Sequence, residues 1–293
     1  MQQLQGAIVA IITPFRNGKF DEDAYRQLIE NQIENGISGI VPCGTTGEST
    51  TLSHEEHQRV IRVCIEQVAG RVPVIAGTGS NSTAEAISLT EHALKDGADA
   101  ALSVTPYYNK PSQEGLYQHY RELDRIGIPI VLYNVPGRCG VDLLPETVAR
   151  LAELDNIVAI KDATSSMIVA SEIRRLCGDK ITLLSGDDLT ALGQMALGGR
   201  GVISVISNII PGPWSQMAAL ALAGDFAAAC EIHDRYFHLN RLLYLEANPI
   251  PVKTAVAMMG KCADEFRLPL TNLSPGNREI LAKELARLEL IRA

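Results

Sequence analysis

One lysine stands in an apolar stretch, residues 157–164, with the sequence IVAIKDAT. Lysine is seldom fully buried, because taking its ammonium out of water without a partner is costly or forces the amine to be neutral. Apolar surroundings lower the pKa of a lysine and expose a lone pair that can attack a carbonyl carbon and form an imine. The protonated imine draws electrons and makes the adjacent carbon acidic, which permits carbon–carbon bond formation without a metal or a cofactor. Lys161 is therefore the candidate nucleophile.

Two alternatives to a nucleophilic Lys161 stay open from the sequence. Its side chain can instead extend from the strand end to solvent, or pair with Asp162 or Glu48. Lys253 also lies among apolar residues, in NPIPVKTAVAMMG, and competes for the same role. Because Lys253 is near the start of a predicted helix and follows two prolines, we expect its ammonium to reach water, and we place it behind Lys161.

Imine chemistry needs proton transfer, and hydroxyl groups that both donate and accept hydrogen bonds can relay protons. The available hydroxyls belong to Thr45, Tyr133 and one of the adjacent tyrosines Tyr107 and Tyr108. Adjacent residues at a strand end do not share a face, so we expect one of these two tyrosines to serve catalysis and the other an interface. Amphipathic tyrosines at the protein rim are the alternative.

Two features are suited to binding a carboxylate. The segment GTTGE combines flexible glycines with Thr45 and Thr46 on a turn, which can offer backbone N–H groups to an anion. Arg138, in VPGRCG, can form a two-pronged contact with a carboxylate. Each signal is weak by itself, and a surface arginine is the alternative for Arg138.

Short apolar segments alternate with longer amphipathic ones, several of which begin with a Ser, Thr or Asp cap and end with Gly. The predicted strands are 7–13, 39–43, 72–77, 100–105, 128–134, 157–161, 181–185 and 201–206. Eight apolar strands alternating with helices predict an α/β fold, a parallel (β/α)₈ TIM barrel with a C-terminal helical extension. A doubly wound open sheet is the alternative, but no glycine-rich dinucleotide-binding turn follows the first strand.

The predicted division of the chain is a barrel over residues 1–222 and a helical segment over 223–293 packed on it. The second part has helical patterns and no strand signals. About 70 residues make only a marginal separate core, so we do not expect an independent domain.

In such a barrel the chemistry lies where strands end and the βα loops begin. Alternation along a strand predicts that Lys161 faces the barrel interior, with Ala159 and Ile157 beneath it and Val158 against the helices. Tyr133, at the end of the preceding strand, is expected beside Lys161 at the barrel mouth.

The composition favours a small polar metabolite as the ligand. The formal net charge is −8, and the basic residues are scattered, which argues against binding to nucleic acid or an anionic membrane. The first residues lack the features of a signal peptide, and no apolar segment is long enough to span a bilayer, so we expect a cytoplasmic protein.

The six cysteines are dispersed and contain no CxxC pair, so zinc or redox spacing is absent and no metal site is predicted. Buried thiols that pack as small apolar groups are the simplest interpretation. Cys43 and Cys139 lie close to the motifs above, and a role for them in sensing oxidation stays open.

A family resemblance rests on several segments in order along the chain. They are GTTGEST, VIAGTGSNSTAEAI, VTPYYNKPSQEGLYQHY, LYNVPGRCGVDLLPETV, AIKDAT, LLSGDD, GGRGVISV and NPIPVKTA. Together they extend from residue 6 to about 270, and the chain thereby resembles the dihydrodipicolinate synthase family of pyruvate-dependent class I aldolases.

The resemblance implies condensation of pyruvate with aspartate-4-semialdehyde in lysine and diaminopimelate biosynthesis. It makes Lys161 the imine-forming lysine and Arg138 the anchor of the semialdehyde carboxylate. The implied proton relay is Thr45, Tyr133 and Tyr108, with Tyr108 reaching into a neighbouring subunit's site beside Tyr107 at the interface. The implied pyruvate site is Thr45, Thr46, Gly186 and Ile203. Homotetramers built as dimers of dimers are usual in the family, and no cofactor is implied.

A second site follows from the same resemblance. In lysine-inhibited members the inhibitor lies at the tight dimer interface, near the equivalents of Ser49, Thr50, His54, His57, Asn81, Glu85 and Tyr107. The two histidines of SHEEHQ are three residues apart and can share a helix face, but their spacing is not that of a zinc-binding HExxH motif. Glu85 supplies the acidic group that an inhibitor amine needs, so feedback inhibition by lysine is predicted.

Other functions remain open. Sialate lyases and 2-keto-3-deoxy sugar acid aldolases share the lysine and the tyrosine, and Arg138 together with the TPYYN pair favours the synthase. A catalytically silent barrel is opposed by the intact set of Lys161, Tyr133 and Thr45. The chain departs from many family members at Asp162, where glutamate is common, and at Cys139, where threonine is common.

Overall fold

The computed structural model describes residues 4–292 and contains an eight-stranded sheet whose paired strands are all parallel. The strands are β1 Gly6–Ala10, β2 Gly39–Val41, β3 Ile75–Gly77, β4 Ala100–Val104, β5 Ile130–Asn134, β6 Ile157–Asp162, β7 Thr182–Ser185 and β8 Gly201–Ser204. Each lies within or overlaps one predicted strand.

The order of the strands closes the sheet into a barrel. Hydrogen-bonded neighbours run β2-β1-β8-β7-β6-β5-β4-β3, and a parallel bridge between Ile40 and Val74 joins the two end strands. The predicted (β/α)₈ barrel with C-terminal helices is therefore confirmed, and the open doubly wound sheet is wrong.

Helices surround the barrel and form the C-terminal part of the chain. They are α1 Glu22–Glu34, α2 His54–Val68, α3 Thr83–Asp96, α4 Gln113–Asp124, α5 Pro136–Cys139, α6 Pro145–Leu151, α7 Met167–Cys177, α8 Ala191–Ala196, α9 Pro211–Leu222, α10 Phe226–Leu242, α11 Ile250–Met258 and α12 Pro275–Arg287. None of the helices among residues 4–292 has the length and apolar character needed to cross a membrane.

Serine caps fix where several of these helices begin, as the sequence predicts. At α2 the Ser53 hydroxyl accepts a hydrogen bond from the Glu56 N–H, and the Glu56 carboxylate accepts one from the Ser53 N–H. This reciprocal capping box satisfies two donors that the first helical turn leaves without partners. Helices α3, α4 and α7 begin after Ser82, Ser112 and Ser166 in a related way.

Two apolar layers explain why the strands are apolar on both faces. The inner layer fills the barrel and includes Ile8, Val41, Val131 and Leu184, while the outer layer joins the strands to the helices. A barrel interior of this kind is a packed core and not a pore, so ligands must bind at its ends.

A β-bulge near the start of β6 changes the predicted alternation. Ile130 pairs with Ile157, whereas Val131 pairs with Ala159, so Val158 is an extra residue. Ile157 accordingly packs in the outer layer and Val158 packs against the inner one. The prediction for these two residues is wrong, whereas Ala159 does lie in the inner layer as predicted.

The C-terminal segment contacts the barrel at the same end as several βα loops. Cavity-lining residues from this segment include Asn248 and Leu270. Two short antiparallel strands that the sequence analysis did not predict, Phe15–Arg16 and Lys19–Phe20, form a hairpin after β1. At its turn the Glu265 carboxylate accepts hydrogen bonds from the N–H groups of Asn17 and Gly18, at 2.8 and 2.5 Å. The division of the chain after residue 222 stays a prediction.

Candidate active site

Lys161 and Tyr133 are direct neighbours at the carboxyl ends of β6 and β5. They are register partners in the sheet, and the Lys161 Nζ lies 4.1 Å from the centre of the Tyr133 ring. Only 5% of Lys161 is exposed, so its amine is held in a largely apolar environment. The predicted meeting of these two side chains at the barrel mouth is present in the structure.

The alternative ion pairs for Lys161 are wrong. Glu48 instead bonds the Lys253 Nζ at 2.6 Å. The Asp162 carboxylate accepts hydrogen bonds from the Thr164 N–H and hydroxyl and from the Gln194 amide, at 3.1–3.2 Å. Burial raises the pKa of Asp162. Both carboxylates are therefore committed to other partners.

The resemblance assigns Gly186 and Ile203 to the pyruvate pocket, and in the structure Gly186 lies beside Lys161 and Ile203 lies in the inner barrel layer. A Cβ added at Gly186 would lie 3.1 Å from both Cγ and Cε of Lys161 and 2.7 Å from the Ala163 Cβ. Ile203 on β8 is buried in the inner layer. The missing side chain at Gly186 thus leaves room for the Lys161 side chain in its observed position.

A cavity of about 620 Å³ opens at this end of the barrel. Its wall contains residues predicted for catalysis and residues predicted for the lysine site. These are Thr45, Tyr133 and Arg138, and Ser49, Thr50, His54, His57, Glu85 and Tyr107. The C-terminal segment adds Ala247, Asn248, Pro249, Pro269 and Leu270. One concave region therefore contains residues of both predicted sites, whereas Lys161, Thr46, Gly186 and Ile203 are not among the residues that line it.

The loop after β2, residues 42–48, carries Thr45 and Thr46 and is here called the β2 loop. Two of its residues, Cys43 and Glu48, have left-handed backbone conformations, with φ of 54° and 52°. A Cβ at Gly77 on the neighbouring strand would lie 2.2 Å from the Cys43 carbonyl oxygen, so only glycine permits this close approach. The backbone of the β2 loop at Cys43 consequently packs directly against β3 at Gly77.

Thr46 and Arg138 share a partner in the C-terminal segment. The Asn248 side-chain amide donates to the Thr46 hydroxyl at 3.0 Å, and the Arg138 guanidinium donates to the Asn248 carbonyl at 3.0 Å. Arg138 lies on the short helix α5, directly before the buried Cys139. Asn248 was not identified from the sequence, although it directly precedes the proline-rich part of the NPIPVK segment.

The adjacent tyrosines after β4 have different environments. Tyr107 is half-buried and lines the cavity, whereas Tyr108 is 88% exposed and has a φ of 72°. A left-handed conformation is unusual at a bulky residue. The two side chains thus serve different surfaces, and the role of Tyr108 stays a prediction.

The predicted lysine-site residues form a polar wall at one side of the cavity. The His54 Nε2 lies 2.8 Å from the Glu85 Oε1, and the Ser80 hydroxyl donates to the other Glu85 oxygen. These two contacts hold the pKa of Glu85 below its ordinary value. Burial lowers the pKa of His57 to about 4. Asn81 contacts Asn109 through its backbone carbonyl and is not part of the cavity wall.

The structure corrects the prediction for Lys253. Instead of reaching water it is completely buried, with its Nζ 2.6 Å from the Glu48 Oε1 and 4.0 Å from the centre of the Phe15 ring. Burial lowers the pKa of Lys253, and the Glu48 carboxylate opposes that effect. The sequence shows an apolar context but not a carboxylate 205 residues away.

The cysteines near the site are buried thiols. Burial raises the pKa of both Cys43 and Cys139, which makes them poor nucleophiles. A role in sensing oxidation stays a hypothesis. Across residues 4–292 no cluster of three or more His, Cys, Asp or Glu side chains is arranged to hold a metal ion.

Known proteins resemble the chain over almost its whole length. Residues 3–288 match the model of the dihydrodipicolinate synthetase family. A protein of Thermodesulfovibrio yellowstonii, named 4-hydroxy-tetrahydrodipicolinate synthase, is 57% identical over 289 residues, which cover 98% of this chain and 99% of the relative.

Solved structures share the fold closely. The dihydrodipicolinate synthase of Acinetobacter baumannii, crystallised with pyruvate, superposes with a TM-score of 0.96 at 48% identity, covering 98% of this chain and 99% of that one. The enzyme of Cyanidioschyzon merolae, with lysine bound, superposes with a TM-score of 0.95 at 39% identity, covering 98% and 99%.

Proposed function

The chain belongs to the dihydrodipicolinate synthetase family, and we propose on this premise that it condenses pyruvate with aspartate-4-semialdehyde to 4-hydroxy-tetrahydrodipicolinate. The observation that carries the proposal is the buried Lys161 amine at the barrel mouth, 4.1 Å from the centre of the Tyr133 ring. The family assignment supplies the substrates, and the geometry supplies a candidate for each chemical role.

The first step is attack of the neutral Lys161 amine on the keto carbon of pyruvate. Loss of water gives an imine, and loss of a methyl proton then gives an enamine whose carbon attacks the aldehyde of the second substrate. Lys161 is only 5% exposed, so bulk water, which would hydrolyse the imine, has little access to it.

Proton transfer in these steps is assigned to hydroxyl groups. Tyr133 is the best supported, because its ring lies against the Lys161 Nζ and the residue is itself almost fully buried. Thr45 is assigned as the next member of the relay, since it lines the same cavity. Tyr108 is exposed in its own chain, so its catalytic role requires that it reach the site of a second subunit.

Carboxylate binding is assigned to both sides of the cavity. Thr45 and Thr46 lie on the β2 loop, whose backbone N–H groups suit the pyruvate carboxylate. Gly186 and Ile203 are assigned to the pocket around the bound pyruvate. Arg138 lines the cavity and is the candidate for the semialdehyde carboxylate, through charge-assisted hydrogen bonds. Arg138 also favours the synthase over an aldolase for neutral sugar aldehydes.

Feedback inhibition by lysine is a further part of the proposal. The lysine-bound structure from Cyanidioschyzon merolae supports it, and so does the wall formed by His54, His57 and Glu85. The Glu85 carboxylate suits the amine of an inhibitor, and Ser49, Thr50, Asn81 and Tyr107 complete the assigned site. Unchanged turnover at millimolar lysine would contradict this part.

The remaining assignments follow the family. We propose a homotetramer built as a dimer of dimers, catalysis without a cofactor or a metal, and a cytoplasmic location. The solution mass of the purified protein tests the oligomer directly. A monomer that remains fully active would remove the catalytic role of Tyr108 as well.

A trapping experiment tests the reaction. Pyruvate and borohydride are added to the protein, and the mass and the modified residue are determined. A single reduced adduct on Lys161, with turnover of aspartate-4-semialdehyde, is expected. No adduct on Lys161 would contradict every imine mechanism, whereas an adduct without semialdehyde turnover would leave a different pyruvate-dependent aldolase.

A further inference from the structure

A buried ion pair connects the C-terminal segment to the β2 loop. Lys253 on α11 and Glu48 at the end of that loop have fully buried side chains, and their charged atoms lie 2.6 Å apart across a sequence separation of 205 residues. Removing two charges from water is costly, and well-packed apolar residues of similar volume are often as stable as such a pair. Stability alone is therefore a poor explanation for this pair.

Glu48 receives its hydrogen bonds from one side. Its second carboxylate oxygen accepts the Arg267 backbone N–H at 3.4 Å, so both bonds come from the C-terminal part of the chain. Both cations also contact the Phe15 ring, whose centre lies 4.0 Å from the Lys253 Nζ and 4.2 Å from the Arg267 guanidinium carbon. These contacts fix the carboxylate of Glu48 in one position.

The backbone of Glu48 is where the loop changes direction. Glu48 has a left-handed conformation, with φ 52°. Its N–H donates to the Thr45 carbonyl at 3.1 Å and closes a turn, and the short 3₁₀ helix Ser49–Thr51 begins at the next residue. Non-glycine residues seldom adopt this conformation, so surrounding contacts must hold it. The side-chain bond to Lys253 is such a contact.

The same segment holds the loop at a second point. The Asn248 amide donates to the Thr46 hydroxyl at 3.0 Å, and Lys253 follows on the next helix. The two contacts fix Thr46 and Glu48, and Thr45 directly precedes the first of them. Thr45 also lies inside a turn that is closed by the Gly47 N–H, which donates to the Gly44 carbonyl at 3.0 Å. The position of Thr45 therefore depends on α11.

We propose that Lys253 and Glu48 are a positioning pair, which fixes the β2 loop so that Thr45 and Thr46 meet the pyruvate carboxylate. The proposal rests on the function assigned above to this loop. Glu48 belongs to the loop and borders the cavity, but its fully buried carboxylate is bonded to Lys253, so the pair takes no part in bond making or breaking and acts by holding the loop.

The test removes both buried charges at once in the full-length protein. The double variant Lys253→Met with Glu48→Leu leaves neither charge unpaired, so its melting temperature is expected to stay close to that of the parent protein. The pyruvate KM is expected to rise by about tenfold or more, because the carboxylate-binding contacts are misplaced. A merely structural pair would lower the active fraction, and hence the apparent kcat, without changing KM.

A matched control uses another C-terminal ion pair. Arg287 and Glu284 are bonded within α12 at 2.7 Å, and the double variant Arg287→Met with Glu284→Leu removes that pair. Its pyruvate KM is expected to equal that of the parent protein. A parent-like KM in the Lys253 and Glu48 double variant would overturn the proposal, and so would an equal KM rise in the control.

A single conservative variant keeps the test decisive if the double variant does not fold. Glu48→Gln preserves shape and can still accept the Arg267 N–H, so a KM rise of about threefold is expected, smaller than that of the double variant. An unchanged KM would overturn the proposal. Borohydride trapping on Lys161 in the parent protein is scored separately, so a failure of the assigned reaction is distinguishable from a failure of the positioning pair.

Discussion

Two lysines of this protein occupy similar environments, one in the barrel and one in the C-terminal segment, and they differ in whether a carboxylate pairs with them. Lys161 is 5% exposed and its Nζ lies 4.1 Å from the centre of the Tyr133 ring. Lys253 is 0% exposed and its Nζ lies 4.0 Å from the centre of the Phe15 ring. Lys253 bonds the Glu48 carboxylate at 2.6 Å, whereas the carboxylates that were candidates for Lys161 bond other groups.

The difference shows which property separates the lysine proposed as the nucleophile from the lysine proposed to position the β2 loop. Burial and an aromatic neighbour are common to both and do not discriminate. At Lys253 the Glu48 carboxylate, 2.6 Å from the Nζ, occupies the nitrogen and opposes the lowering of its pKa by burial. Lys161 makes no such ion pair in the described part of the chain, and its Nζ lies against the ring of Tyr133, which lines the cavity.

Removing the amine of Lys161 gives the largest expected effect. Lys161→Ala is expected to lower kcat by about 10³-fold or more, because the nucleophile is lost, and to abolish trapping of pyruvate. Initial rates and intact mass measure both effects. Lys180→Ala, at a lysine with a half-exposed side chain, is the matched control. Activity within tenfold of the parent in Lys161→Ala would remove Lys161 from the reaction.

The same substitution at each lysine separates their contributions to stability. Lys253→Met leaves the Glu48 carboxylate buried without its partner and is expected to reduce the free energy of unfolding by about 3–5 kcal/mol. Lys161→Met breaks no ion pair and is expected to cost less than about 1 kcal/mol. Denaturant titrations at one fixed protein concentration provide the measurement. Equal losses in the two variants would break the comparison.

Crowding Lys161 without removing it gives a smaller effect. A methyl group at Gly186 would lie 3.1 Å from the lysine Cγ and Cε. Overpacking of this kind costs about 1–3 kcal/mol. When that cost is added to the free energy of the transition state, kcat/KM is expected to decrease by about tenfold to a hundredfold. At Gly276 an added Cβ has no heavy atom within 4 Å, so Gly276→Ala is the control. Parent-like kinetics in Gly186→Ala would show that Lys161 can move aside freely.

A buried histidine extends the comparison to a base without an ion-pair partner. Burial lowers the pKa of His57 from 6.5 to about 4. As pH falls from about 6.5 to about 4, the unfolded chain takes up a proton that the folded protein does not, so folding stability decreases over this range. His57→Gln is expected to reduce the slope by up to about 1.4 kcal/mol per pH unit. Melting curves between pH 4 and 7 measure it, and an unchanged slope would contradict the assignment.

The sequence carries much of the fold because local patterns determine it. Apolar segments of strand length, serine caps such as Ser53 and Ser82, and terminal glycines identify the alternating elements without reference to distant residues. The bulge at Val158 escapes this kind of inference. Its cause lies in the pairing of β6 with β5, and Val158 itself is an ordinary strand residue.

In the site, the residues at strand ends are predictable from the sequence, whereas the contacts made by the C-terminal segment are not. Lys161 and Tyr133 are identifiable, because a charged residue and a hydroxyl at the ends of adjacent strands must approach each other. The environment of Lys253 depends on Glu48 and Phe15, which are remote in sequence, so no local pattern reveals it. The same holds for Asn248, whose partner Thr46 is 202 residues away.

The extra residue at Val158 has a consequence for how β6 tolerates changes in length. Pairing with β5 is regular from Ala159 to Asp162, and the surplus residue lies below that stretch. The orientation of Lys161 is therefore set by the regular pairing from Ala159 to Asp162, and it does not depend on the number of residues before the bulge. A one-residue insertion or deletion near Ile157 is expected to change only the bulge. The same change between Ala159 and Lys161 would turn the amine toward the helices.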